Sequence, residues 1–338
     1  MDLNTVWFLL VGVLIIGYAV LDGFDLGIGS LYFLLGKTEQ EKRILLNSVG
    51  PFWDANEVWL LTGGGALFAA FPVVYASVFS GFYLAMMLVV LGLIFRAAAV
   101  EFRHRVEDAG WQRRWDALFF LGSFLPALLF GVAVGNIIQG LPLDSSQNYT
   151  GGFFALLDPF SLLIGLAGLF GFLMQGVTYT MIKTEGDLLH RASSLAPKIW
   201  AGLAGLFVLG GVSSWFAAPG LFTNYAKYPV LFLIPAVTVI ALLGTLVMIR
   251  ANKAGLAFLS SSSAMAGMIL TLAAGLFPNL VPATDPSLSL TVYNASSSPL
   301  TLKTMLIIAL MGVPVVLFYT IYVYRVFRGK VELEKEGY

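Results

Sequence analysis

Val6-Trp7-Phe8-Leu9-Leu10-Val11-Gly12-Val13-Leu14-Ile15-Ile16-Gly17-Tyr18-Ala19-Val20-Leu21 contains no charged side chain, and the apolar run around it extends from about residue 5 to 36. A helix rising about 1.5 Å per residue needs about 20 apolar residues to cross about 30 Å of hydrocarbon. The run is therefore read as a membrane span, long enough to tilt or to end beyond the hydrocarbon. Met1-Asp2-Leu3-Asn4 lacks the positive region of a cleavable signal peptide, and the run is too long for one, so it is expected to persist as the first permanent span. Working outward, similar runs occur near 52–73, 76–100, 116–140, 158–182, 196–218, 229–250, 255–277 and 303–325. The fold class expected is all-α and integral to the membrane, with about nine transmembrane helices.

Composition agrees. Of the 338 residues, 58% are apolar and 11% charged, against about 25% charged in an average soluble domain. So few charges cannot cover a water-soluble fold of this size. The 14% aromatic share and the 36 glycines fit a chain whose Trp and Tyr sit at bilayer interfaces and whose helices pack closely. Lys+Arg equal Asp+Glu, which leaves no basic footprint for nucleic acid. With no cysteine, disulfides, iron–sulfur clusters and Cys-type zinc sites are excluded.

Loops retained in the cytoplasm accumulate Lys and Arg. With the amino terminus placed outside, all of the 19 Lys and Arg except Lys227 and Lys303 fall at cytoplasmic ends or in the tail, Lys335 included. The alternation supports an odd number of spans and a cytoplasmic carboxyl terminus. The outer loop at 278–302 is polar rather than charged. The long connection around 141–157 suggests a grouping of four spans, then four, then one: 1–140, 141–280, and 281–338 with the outer loop, a ninth transmembrane helix and a cytoplasmic tail.

Chemistry is expected where the membrane holds groups that it disfavours, since an ionisable residue near the bilayer centre costs about 2.5–3.5 kcal/mol on insertion scales. Asp22 and Asp25 lie three apart late in the first span, on one helix face; Asp54 and Glu57 lie three apart early in the second; Arg96 and Glu101 close the third. Because these spans alternate in direction, all six groups fall at similar depth on the cytoplasmic side. Acidic residues near helix ends can simply face headgroups, Asp54 can favour a helix N-terminus, and Arg96 can snorkel. As a cluster, however, intramembrane carboxylates mark ion or proton routes. The run Gly63-Gly64-Gly65 has room for a close helix, a lipid or a quinone tail, plain helix packing being the simpler reading. A buried haem needs His, Met or Cys ligands aimed into the bundle. The two histidines, His104 and His190, fall in the connections after the third and fifth spans, and methionines such as Met86, Met174 and Met265 read as core filling.

Asp22-Gly23-Phe24-Asp25-Leu26-Gly27, Trp53-Asp54-Ala55-Asn56-Glu57-Val58-Trp59-Leu60 and the stretch from Gly63 to Pro72 and on to Ser80-Gly81-Phe82-Tyr83 resemble subunit II of the cytochrome bd quinol oxidases. The resemblance continues through Phe95-Arg96, Gly135-Asn136-Ile137-Ile138-Gln139-Gly140, Gln175-Gly176-Val177-Thr178-Tyr179 and Asn294-Ala295-Ser296-Ser297-Ser298-Pro299-Leu300-Thr301-Leu302, nearly the whole chain. It implies two four-helix bundles plus a peripheral helix, in a bacterial cytoplasmic (inner) membrane. It implies a partner, subunit I, that carries two haems b and one haem d and oxidises quinol, with oxygen as the second substrate; this chain would ligate no haem. It leaves room for a small accessory transmembrane subunit among the membrane lipids.

The resemblance further implies a proton path from the cytoplasm toward the oxygen-reducing haem. Asp54 matches the aspartate of the family's Trp-Asp motif, Glu101 a position where aspartate is also found, and Arg105 one where lysine is also found. Asp22, Asp25 and Glu57 join the path, Arg96 and Arg105 give electrostatic support, and an Arg cannot release a proton as a Lys can. Trp53, with Gly64 nearby in sequence, borders a pocket where some family members hold a structural quinone or lipid. Two other classes fit a carboxylate cluster less well: a secondary transporter, whose site should lie near the midplane at broken helices, and a purely structural subunit, in which the carboxylates would be dispensable.

Overall fold

The computed structural model describes residues 2–331; Lys335 and the remainder of the tail lie outside the described residues. Twelve α-helices occur among those residues. Helix α1, Leu3–Leu35, is opened by Asp2, whose carboxylate accepts from the Thr5 N–H. Its 33 residues are about 50 Å long, well beyond the hydrocarbon. Helix α2, Glu39–Val49, was not expected. Thr38 and Glu41 form a reciprocal capping box at its start, and Leu45, Leu46 and Val49 bury its apolar side. At 11 residues it falls below any search for spanning runs.

The second and third spans differ from the sequence reading at their junction. Helix α3, Trp53–Ala70, stops at Phe71, and α4, Pro72–Gly81, leaves it at 119°. The residue before a proline is pushed out of the helical region, and Phe71 lies at φ −135°, ψ 65°. The carbonyls orphaned at the end of α3 are met from the distant loop: Ser297 N–H donates to Ala70 and Ser297 Oγ to Ala69. The third span is thus α5, Tyr83–Phe102, and residues 76–81 belong to the bent segment.

The remaining helices are α6, Ala109–Gln139; α7, Pro159–Lys183; α8, Gly186–Ala217; the short α9, Thr223–Lys227; α10, Leu233–Arg250; α11, Ala254–Leu276; and α12, Pro299–Val326. His190, expected in a connection, lies on α8. By length and composition eight helices can cross a membrane, or nine if the bent pair α3–α4 counts as one span. The loop at 278–302 is ordered by a small antiparallel pair, β1 (Asn279–Val281) with β2 (Leu290–Thr291), in register Asn279↔Thr291 and Val281↔Leu290.

Lipid tails are as apolar as leucine, so helices associate in a bilayer through close packing rather than exclusion from water. Small residues make that contact here. Helix α1 packs on α3, α6 and α7. At its crossing with α7, a Cβ on Gly27 would stand 2.0 Å from the Phe172 carbonyl oxygen, and one on Gly176 2.4 Å from the Gly27 carbonyl carbon. Helices α6 and α7 meet in the same way, a Cβ on Gly131 falling 2.8 Å from Gly165 Cα. Helix α12 lies at the periphery, with only Leu302 and Val323 buried.

Candidate functional site

Three helices of the first half bring their charges to one buried point. Arg96 of α5 places Nη1 2.8 Å from Asp22 Oδ1 on α1 and Nη2 2.5 Å from Glu57 Oε1 on α3. Arg96 and Asp22 are 1% and 0% exposed, and Glu57 is 22% exposed. Gly122 of α6 admits this arrangement, since a Cβ there would stand 2.7 Å from Arg96 N. One helical turn beyond Asp22, Asp25 is also buried and accepts from Asn56 Nδ2 at 2.8 Å. The same Asn56 nitrogen donates to the Leu21 carbonyl at 3.1 Å, and Asn56 Oδ1 accepts from the Tyr324 hydroxyl of α12 at 3.0 Å. Among the described residues Asp25 Oδ1 has no hydrogen-bond partner. One guanidinium therefore pairs with two carboxylates, Asp22 and Glu57, while a third, Asp25, lies one turn away on the Asn56 amide.

The other residues singled out in the sequence lie apart from this point. Trp53, Glu101 and Arg105, with Ile94, Ala97, Ala98 and Phe102, line an open cleft of ≈ 450 Å³ between α3 and α5. Its walls are apolar with a carboxylate and a guanidinium among them, and Arg105 Nε donates to the Glu101 carbonyl at 3.3 Å. Asp54 is exposed in the first turn of α3, beside Trp53, where the helix N-terminus favours a negative charge. It is close enough to Glu57 for the two carboxylates to repel. Gly64 is not among the residues lining the cleft, and nothing stands within 4 Å of where its Cβ would be.

A second charged network escaped the sequence reading. Arg103, 2% exposed at the turn ending α5, places Nε 2.5 Å from Asp116 Oδ1 and both terminal nitrogens on Glu39 at 2.7 and 2.9 Å. Lys42 Nζ reaches Asp116 Oδ2 at 2.7 Å, and the Tyr32 hydroxyl donates to Asp116 Oδ1 at 2.9 Å. Arg103 and Lys42 read as loop charges in sequence. The capping box at Thr38 and Glu41 was the available sign that they belong to a folded segment. Outside the spans, Glu41 is held by Arg191 at 3.1 Å. Burial pushes its carboxyl up, but the Arg191 hydrogen bond and the Lys37 and Thr38 N–H groups outweigh this and hold it below the usual range.

The residues present do not suit a haem. His190 is exposed on α8, His104 sits in the turn after α5, and neither lines the cleft. Among the described residues no group of three His, Cys, Asp or Glu could hold a metal ion.

Fold and site together define a polytopic, all-helical membrane subunit with a charged cluster buried between its first three spans. Residues 3–327 match the family described as cytochrome bd terminal oxidase subunit II, and the chain belongs to that family. It is 40% identical to the cytochrome bd-I ubiquinol oxidase subunit 2 of Escherichia coli strain K12, over 98% of this chain and 96% of that protein. It is 37% identical to the cytochrome bd ubiquinol oxidase subunit 2 of Bacillus subtilis strain 168, over 98% and 97%. The fold matches a chain of the bd oxidase of Geobacillus thermodenitrificans with a TM-score of 0.80, at 14% identity over 97% of this chain and 99% of that one. The chain is thus the second subunit of an oxidoreductase complex of a bacterial inner membrane, paired with a subunit I. The transporter reading falls with that membership. The broken helix that would have favoured it lies about 20 Å along α3 from Glu57, at the end away from the cluster.

Proposed function

We propose that this subunit scaffolds subunit I of a quinol:oxygen oxidoreductase and delivers protons to the haem at which subunit I reduces oxygen. The haems, two b and one d, belong to the partner, and quinol and oxygen are substrates of the complex. The amino terminus faces outward and the carboxyl terminus the cytoplasm, so the end of α1 that bears the carboxylates is the cytoplasmic end. Asp54 and Glu101 take up protons there, Arg105 sets the local potential, and Asp22, Asp25 and Glu57 pass protons inward around Arg96. The cleft beside Trp53 receives a lipid or quinone tail, with Gly64 further along the same helix. The chain is organised as bundles 1–140 and 141–280 with 281–338 peripheral, and a small accessory transmembrane subunit packs on the exposed apolar surface.

The observation that carries this reading is the surplus of acidic groups at one buried point, Asp22 and Glu57 on the single guanidinium of Arg96 with Asp25 a turn away and no cation of its own within ion-pair distance among the described residues. Buried ion clusters are costly unless matched, so surplus acidic groups are retained where protons are exchanged. Asp54→Asn tests the route, because it keeps shape and a hydrogen-bonding head while removing the titratable group. The complex assembles with normal haem content, oxygen consumption per haem d falls with excess quinol, and Asp54→Glu restores more activity than Asn. Unchanged turnover in Asp54→Asn at every pH removes Asp54 from the path.

A further inference from the structure

Helix α12 is the peripheral element of the fold, yet one of its side chains reaches the amide that holds a buried carboxylate. The Tyr324 ring sits against Phe52 at 4.5 Å between centroids and meets Phe24 edge-on at 6.4 Å. Its hydroxyl donates to Asn56 Oδ1 at 3.0 Å. The end of α12 is fixed there by hydrogen bonds to α7 and the residues after it: Lys183 Nζ to the Phe327 carbonyl at 2.5 Å, Lys330 Nζ to the Thr184 carbonyl at 2.7 Å, and Val331 N–H to the Lys183 carbonyl at 2.9 Å.

Asn56 is fully buried and every polar atom of its side chain is engaged. A primary amide has two donors on one side and an acceptor on the other, and it reverses them by a half-turn. With both donors committed, to the Leu21 carbonyl and to Asp25 Oδ2, the acceptor must find a donor elsewhere. Tyr324 is that donor. Without it only the Leu21 carbonyl resists a half-turn from the amide's other side, and the turned amide presents its oxygen to Asp25, which suits a protonated carboxyl and opposes an ionised one.

We propose that Tyr324 is a positioning residue for the proton route: by fixing the orientation of Asn56 it keeps an N–H rather than a carbonyl oxygen aimed at Asp25. The inference rests on the proton-delivery reading. The groups facing Asp25 are Asp22 on its own helix, Asn56 and Glu57 on α3, Arg96 on α5, Tyr179 on α7 and Tyr324 on α12. Of these Tyr324 alone acts on the oxygen side of the amide, through the hydroxyl that donates to Asn56 Oδ1, while the Leu21 carbonyl favours the same orientation from the nitrogen side.

Tyr324→Phe keeps the ring between Phe24 and Phe52 and removes only the hydroxyl. In the whole complex, haem content is unchanged and turnover per haem d falls about three- to tenfold, the equivalent of one hydrogen bond of about 0.7–1.4 kcal/mol. The pH profile of turnover is displaced toward higher pH rather than lowered evenly. In an Asn56→Leu background, which has no amide to orient, Tyr324→Phe has no further effect on turnover or profile. Wild-type turnover and profile in Tyr324→Phe overturn the proposal, as does a loss of activity that only follows loss of haem, or an undiminished effect in the Asn56→Leu background. Asp25→Asn separates the two levels. If it slows turnover while Tyr324→Phe does not, the positioning role fails and the route stands; if Asp25→Asn turns over at the wild-type rate, both fail at Asp25.

Discussion

Two charge networks built around buried arginines share α1 and the end of α5, the first reaching α2 and α6 and the second α3, yet they are composed differently. Around Asp116, two cations, Arg103 and Lys42, meet two carboxylates, Asp116 and Glu39, and the Tyr32 hydroxyl completes the set. Around Arg96, one cation meets Asp22 and Glu57 while Asp25 lies alongside with only an amide donor. A matched network fixes helices to one another and has no use for a further proton. An unmatched one has surplus negative charge that a proton can neutralise. The contrast fits an architectural role for the first and, on the proposed proton route, a titrating role for the second.

The comparison breaks most visibly at its two arginines. Arg96→Leu strands Asp22 and Glu57 in the interior, and losing one partner of a buried pair costs about 3–5 kcal/mol; the yield of haem-loaded complex collapses, which quantitative haem spectra of purified membranes would register. Asp116→Ala costs less, about 2–3 kcal/mol, because Arg103 keeps Glu39. Its melting temperature drops while oxygen consumption per haem d in the surviving complex stays at the wild-type value; slowed turnover there would erase the distinction between the networks. Asp25→Asn has the opposite signature, near-normal thermal stability with turnover reduced about tenfold or more, as expected when a proton-transferring group is lost.

The smallest effect belongs to Glu41. Its carboxyl is held below the usual value of 4.5, so its pairing with Arg191 contributes stability above that pH and loses it as pH falls through the lowered value. Hydrogen exchange in α2 therefore quickens on acidification below about pH 4.5 in wild type. Glu41→Gln lessens this pH dependence, leaving that of the Lys42–Asp116 and Glu39–Arg103 pairs, at a cost of under about 1 kcal/mol, the usual size for a partly exposed pair.

The spans were legible because a membrane helix announces itself by length and apolarity, and Asp22, Asp25, Glu57 and Arg96 because charges within such runs are rare. The partners within the cluster were not legible. Asp54 and Glu57 share a spacing and a span, but the first is exposed and the second touches Arg96, which depends on how α3 is rotated against α5. Nor did any local pattern tie Tyr324 to Asn56 across most of the chain, or Ser297 to the end of α3. The break at Phe71 was readable in principle from Pro72, but both flanking runs are apolar enough to mask it. Helix α2 was lost to its brevity, although its capping box was present in the sequence.

The glycine contact between α1 and α7 also imposes an order on biosynthesis. Gly27 leaves the ribosome early and its counterpart Gly176 well over a hundred residues later, which at about 5–20 residues per second is a delay on the order of ten seconds or more. Asp22 likewise waits for Arg96. Until Arg96 is made the first helix carries two carboxylates without a counter-ion, and until Gly176 is made it lacks its closest neighbour. The uncharged stretch at residues 6–21 can enter the bilayer first, and the carboxylates at its far end become fully buried only as the later spans pack against them.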